Sequence, residues 1–134
     1  MKPININVIK RAVALTILCL LVYALIPKYQ IGYAAWYARE GDTCDPFPHI
    51  TMANGKELND EAYTCAIWRK KFNTILLVTN LANGASVKVM VTDRGPAKRL
   101  ARQGRIIDLS KAAFARIADL DTGVIKVKVG KGDL

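Results

Sequence analysis

Histidine and cysteine are scarce in this chain. Its 134 residues hold one histidine, His49, and three cysteines, Cys19, Cys44 and Cys65. So few ligands, without paired spacing, disfavour a metal site, and the sequence calls for neither metal nor cofactor. Internal repeats and low-complexity segments are missing, and no βαβ rhythm runs through the chain, which argues against a parallel α/β sheet. Basic residues are not interleaved with aromatics, so nucleic-acid binding is not expected despite a formal net charge of +9.

Acid is also missing from Met1 to Arg11, which carries Lys2, Lys10 and Arg11. The run AVALTILCLLVYALI, residues 12–26, has no charge and ends at Pro27-Lys28. A basic start followed by about 15 apolar residues is the pattern of a secretory signal. Val22-Tyr23-Ala24 offers a small-residue cleavage site, whereas an uncleaved anchor needs roughly 17–25 residues. Residues 1–27 are therefore read as a signal peptide or an N-terminal membrane anchor, and residues 28–134 as the exported domain in the periplasm or cell envelope. A lipid-attachment site at Cys19 is disfavoured because Leu18, not a small residue, precedes it.

Export changes how Cys44 and Cys65 are read, since both lie where thiols can stay oxidised. A bridge between them would close a loop of about 20 residues and contribute on the order of 3 kcal/mol. From Lys28 onward, 17 basic residues against 11 acidic ones leave +6. Outside the cytoplasm such a surface suits acidic lipid headgroups or cell-wall glycans.

Within the exported part, residues 32–37 read as a first strand, on which Trp36 and Tyr37 point to opposite faces. Residues 38–52 read as loop, with His49 a bystander. Ala53-Asn54-Gly55 is a turn signal, and Asn59 or Asp60 is expected to cap a short helix reaching Ile67 or Trp68. Arg69-Lys70-Lys71 reads as a solvated corner. TILLVT, residues 74–79, and the alternating run Ser86–Thr92 form a hairpin. Ser110 is a fit N-cap for KAAFARIADL, with Ala113, Phe114, Ile117 and Leu120 on one face. VIKVKV, residues 124–129, closes the set of strands, and residues 130–134 read as a loose tail. Short strands with one or two small helices point to a mainly β, closed barrel.

Two carboxylates end β-rich segments, Asp93 before a sharp turn at Gly95-Pro96 and Asp108 before a helix. Five strings carry a resemblance. They are GYAAWY (32–37), ANG (53–55), VTNLANG (78–84), DRGP (93–96) and RIIDLS (105–110). Together they resemble the rare lipoprotein A (RlpA) family of septal lytic transglycosylases, over about Gly32 to Val129. The resemblance implies a six-stranded double-psi β-barrel, shared with barwin and expansins, preceded here by the N-terminal hydrophobic helix. It implies cleavage of the β-1,4 bond between N-acetylmuramic acid and N-acetylglucosamine in peptidoglycan, leaving a 1,6-anhydromuramoyl end. Hydrolysis usually uses two carboxyl groups; if the sugar's own 6-hydroxyl attacks, one can act first as acid and then as base.

On that resemblance Asp93 and Asp108 are the catalytic candidates, and like-charge repulsion would leave one protonated acid and one anionic stabiliser. Arg94 would orient a carboxylate or the substrate, and Tyr37, Asn54 and Trp68 would line the groove. One departure matters. Where the family has Thr-Ala-Ala-His, this chain has Thr64-Cys65-Ala66-Ile67, so a candidate proton shuttle is gone. Cys65 with Cys44 also resembles the disulfide-bearing expansins, which bind and loosen polysaccharide. The expected activity is a lytic transglycosylase acting on peptidoglycan strands; the alternative is a non-catalytic wall-binding or wall-loosening module.

Overall fold

Valines and isoleucines alternating with lysines and other polar residues build two of the longest strands of this protein, residues 86–93 and 124–131. A computed structural model describes residues 3–26, 28–38 and 51–132. Six strands are present: β1 (Gln30–Tyr37), β2 (Thr64–Ala66), β3 (Ile75–Asn80), β4 (Ser86–Asp93), β5 (Arg105–Ser110) and β6 (Val124–Lys131). They close into a barrel in the order β1-β5-β2-β4-β3-β6. The β1–β5 and β2–β4 pairs are parallel and the other four antiparallel. Closure leaves no free sheet edge.

On β6, Ile125, Val127 and Val129 are buried while Val124, Lys126 and Lys128 face out. On β4, Val87, Val89 and Val91 do the same against Ser86, Lys88 and Met90. Both patterns follow the period of two expected for a half-buried strand. The interior is filled by these valines with Cys65, Leu76, Val78, Ile107 and Leu109, and plugged by Phe114 and Ile117. A smaller cluster of Tyr37, Met52, Leu58 and Ala66 lies outside this core.

The β3–β4 hairpin forms as expected, with Gly84 at φ 74° in its turn. The helix expected from Asn59 to Trp68 does not form. Asn59 instead folds a local turn, its Oδ1 accepting from Glu61 N at 3.0 Å. The chain then enters β2, whose Cys65 and Ala66 pair with β4 on one side and β5 on the other. Closing the barrel overrides the local capping signal. Ser110 does cap a helix, α3, but it spans only Lys111–Ala115. The side-chain amides of Asn80 and Asn83 both donate to Ile117 O, at 2.9 and 3.0 Å, occupying the carbonyl that a longer helix would have used. Two further departures are small. A short helix, α2 (Lys98–Ala101), forms in the basic connection between β4 and β5 that carries Lys98, Arg99 and Arg102, and β6 extends into the expected tail.

Ser110 does more than cap. Its fully buried Oγ donates to Ala62 O at 2.6 Å and accepts from Thr64 N at 3.3 Å, fastening β2 beside β5. Ser110→Ala is expected to cost about 1–1.5 kcal/mol, read as a lowered midpoint in chemical denaturation.

The apolar N-terminal run is a single helix, α1 (Ile6–Leu25), capped by Asn5, whose side chain accepts from Asn7 N at 2.9 Å. None of its residues is buried against the barrel. Its 20 residues are long and apolar enough to cross a membrane, with a mean hydropathy of 2.1.

Candidate functional site

Two bulges decide which way Asp93 and Arg105 point. Along β4 a strict period of two would place Asp93 with Val87, Val89 and Val91, facing the core. The β2–β4 register breaks between Cys65↔Val91 and Ala66↔Asp93, so Thr92 is the extra residue and Asp93 turns to the outer face. On β5, Asp108 faces out by ordinary alternation between the buried Ile107 and Leu109. A second bulge at Ile106, between Tyr33↔Arg105 and Ala34↔Ile107, brings Arg105 to the face of Asp108.

A row then crosses four strands: Ala35, Asp108, Ala66 and Asp93. The two aspartates flank Ala66, two strand spacings apart, or roughly 9–10 Å between Cα atoms. Small residues between the acids keep the wall low.

The carboxylates are held differently. Asp93, 8% exposed, accepts from Ala53 N and Arg94 N, both at 2.8 Å and both on Oδ1. It thereby ties the Ala53-Asn54-Gly55 turn to the end of β4. Asp108 pairs with Arg105, whose Nε donates to Oδ1 at 2.5 Å. Its Oδ2 borders Gly95, where a Cβ would stand 3.6 Å away and only 3.2 Å from Ala66 Cβ. Glycine at that position leaves no side chain packed on Oδ2 from the turn.

Tyr37 reaches this site from beneath, its ring buried rather than lining an open groove. Its hydroxyl adjoins Thr92 Oγ1, a pairing that works slightly against a raised pKa, and neither atom meets a further partner among the described residues. Burial pushes the phenol far above its ordinary value, and the charges of Asp93, Cys65 and Asp108 add to the shift. Tyr37 therefore keeps its proton beside two acids.

Cys65 is a buried free thiol on the core side of β2. Burial first, and Asp108 second, raise its pKa well beyond the usual thiol range, so it is no nucleophile. Cys44, the expected partner of Cys65, and His49 lie outside the described residues.

Of the expected groove residues, Trp68 is placed best. It is 40% exposed, and its indole Nε1 donates to Pro96 O at 2.7 Å, pinning it to the Asp93–Pro96 turn. Asn54 spends its carbonyl on the turn, accepting from Lys56 N at 3.0 Å. The Arg94 guanidinium stacks on Phe72, 3.8 Å from the ring centroid, and contacts the carbonyls of Ile67 and Asp93 at 3.4 Å. It is thus turned from the carboxylates toward the β2–β4 junction. The arginine that meets an acid is Arg105, an assignment hidden in the sequence because residues three apart on a regular strand face opposite sides. Ile67, where the family histidine was expected, is 2% exposed and packed in the core, its N–H donating to Asp93 O at 3.2 Å. Among the described residues no cluster of three metal-ligating side chains occurs.

Residues 29–129 match the family model described as lytic transglycolase. The chain belongs to that family. The closed barrel is accordingly the double-psi β-barrel expected from the motifs. The endolytic peptidoglycan transglycosylase RlpA of Rickettsia prowazekii is 40% identical over 105 residues, covering 77% of this chain and 31% of the relative. The probable endolytic peptidoglycan transglycosylase RlpA of Aquifex aeolicus is 40% identical over 99 residues, covering 74% and 39%. The chain thus spans about a third of the length of these curated relatives. Among solved structures, the Streptomyces papain inhibitor aligns with a TM-score of 0.56 and 25% identity, over 77% of this chain and 93% of that one. A mutant expansin of Clavibacter michiganensis in complex with cellohexaose aligns with a TM-score of 0.57 and 20% identity, over 79% and 51%, a likeness of fold.

Proposed function

We propose that the barrel is a lytic transglycosylase that cuts peptidoglycan glycan strands between N-acetylmuramic acid and N-acetylglucosamine. The observation that carries this reading is the row Asp108–Ala66–Asp93 on the outer wall, with Asp93 re-aimed by a bulge and no side chain from Gly95 packed on Asp108. Asp108 is the acid and base. Once a proton displaces its pairing with Arg105, the Asp108 carboxyl gives that proton to the glycosidic oxygen as the C1–O bond breaks. The carboxylate so formed is stabilised by Arg105 and then takes the proton of the muramoyl 6-hydroxyl as that oxygen attacks C1. No water is consumed, and the product carries a 1,6-anhydro ring. Asp93, fixed by two backbone N–H groups, supplies negative charge toward the oxocarbenium-like transition state. Trp68 offers an aromatic face for a sugar ring, and the names of the relatives from Rickettsia and Aquifex support peptidoglycan as the substrate.

The burial of Ile67 where a histidine was expected favours a second reading, a barrel that binds wall polysaccharide without cutting it. One experiment separates the two. Full-length protein in detergent is incubated with denuded and with peptide-bearing peptidoglycan, and soluble products are examined by mass spectrometry. Anhydromuropeptides are expected; co-pelleting with glycan but no soluble product would leave only the binding module.

We further infer that α1 carries the barrel across the cytoplasmic membrane, as a cleaved signal or a retained anchor, with Lys2, Lys10 and Arg11 on the cytoplasmic side. Fractionation should find the protein in the envelope. The mass of the mature protein tells cleavage from retention.

A further inference from the structure

The corner Arg69-Lys70-Lys71, expected to be merely solvated, stands at the edge of two adjoining depressions on the outer wall. One, of about 300 Å³, is lined by Trp68, Arg69, Lys98, Ala101 and Arg102. The other, of about 250 Å³, shares Trp68, Arg69 and Ala101 and continues past Lys70 to Arg105, the partner of Asp108. Among the described residues five cations line the two, and no acidic residue does.

Three of these cations are not neutralised by any described residue. Arg69, Lys98 and Arg102 are exposed, and among the described residues none has an ion-pair partner. Gathering like charges around one concavity is unfavourable by itself and focuses a positive potential within it. Arg69 is also held at φ 60°, a conformation arginine rarely adopts, beside an indole fixed by Pro96. The long side chains come from two elements, the loop after β2 and the helix α2, so their convergence follows from the tertiary fold.

We propose that Arg69, Lys98 and Arg102 form an anion subsite that takes a carboxylate borne by the muramic-acid substituent of the glycan, next to the sugar on Trp68. The inference rests on the peptidoglycan reading above. Peptidoglycan carries such carboxylates in two places: on the lactyl ether of muramic acid where the stem peptide has been removed, and on the stem peptide where it remains. Guanidinium forks suit either. Because the depression runs on to Arg105, the partner of Asp108, a carboxylate bound there would fix the register of the strand over the acid.

The test measures binding apart from cleavage, using full-length Asp108→Asn protein in detergent. Denuded strands are compared with the same strands after their carboxylates are converted to amides, and peptide-bearing strands are treated likewise. Amidation is expected to weaken binding about tenfold. In the triple variant Arg69→Asn, Lys98→Gln, Arg102→Gln, binding to untreated strands should fall to the amidated level and lose its dependence on amidation. Asparagine is chosen at position 69 because it tolerates positive φ. A control triple, Lys126→Gln, Lys128→Gln, Lys131→Gln, removes equal charge from β6 and should keep the full effect of amidation. An effect confined to denuded strands assigns the lactyl carboxylate, and one confined to peptide-bearing strands assigns the stem peptide. Equal binding to amidated and untreated strands overturns the subsite, as does a β6 triple that behaves like the first. Failure to bind any strand overturns the peptidoglycan reading itself.

Discussion

Replacing Asp108 by Asn is expected to lower the release of anhydromuropeptides at least about 100-fold, since general acid–base catalysis is commonly worth 10²–10⁴. The asparagine keeps the size of the side chain and an oxygen for Arg105, so the barrel should remain folded and glycan should still pellet with the protein. Asp93→Asn should cost less, about 10- to 100-fold, because it removes a fixed charge rather than the group that moves the proton. The assay follows soluble anhydromuropeptides by mass spectrometry against the wild type. Should Asp93→Asn be the more damaging of the two, the roles given to the acids are reversed. If neither change alters the rate, the row of acids is structural.

The strands were legible in the sequence wherever one rule was enough. Alternation of valine with lysine marked β4 and β6, and Gly84 marked the turn between β3 and β4. The failures came where two rules compete. Asn59 carries a local capping signal, but β2 fills the place between β4 and β5 without which the barrel would have open edges. Ser110 was readable as a cap, whereas the early end of α3 depends on Asn80 and Asn83, some 30 residues away in the chain.

The site followed the same division. DRGP and RIIDLS identified both acids, yet alternation alone would have put Asp93 in the core. The extra residue Thr92 reverses that face, the extra residue Ile106 does the same for Arg105, and no local composition announces either: both are ordinary strand residues. The same slip conceals Arg105 as the partner of Asp108 and makes Arg94, adjacent in sequence to an acid, the arginine that points elsewhere. Charge clustering was visible, but that Arg69 and α2 meet across one depression belongs to the folded wall.

Asp93 has a structural duty that can be separated from its charge. Its Oδ1 receives two backbone N–H groups from segments 40 residues apart, in a position only 8% exposed. Hydrogen bonds to a carboxylate are stronger than neutral ones, and truncation leaves their donors facing an apolar gap beside Tyr37 and Ala66. Asp93→Ala is therefore expected to destabilise the barrel by about 2–3 kcal/mol, lowering the thermal midpoint by about 8–24 °C at about 4–8 °C per kcal/mol for a domain of this size. Asp93→Asn retains an acceptor oxygen and should cost about 1 kcal/mol or less. Thermal unfolding of the full-length variants in detergent, followed by circular dichroism, reads the difference. The pair matters because the two losses separate: asparagine should reduce catalysis in a stable barrel, and alanine should also loosen the Ala53–Gly55 turn. Equal stability of the two variants would mean that the turn is held by Asn54 N on Thr92 O, at 3.2 Å, and not by the carboxylate.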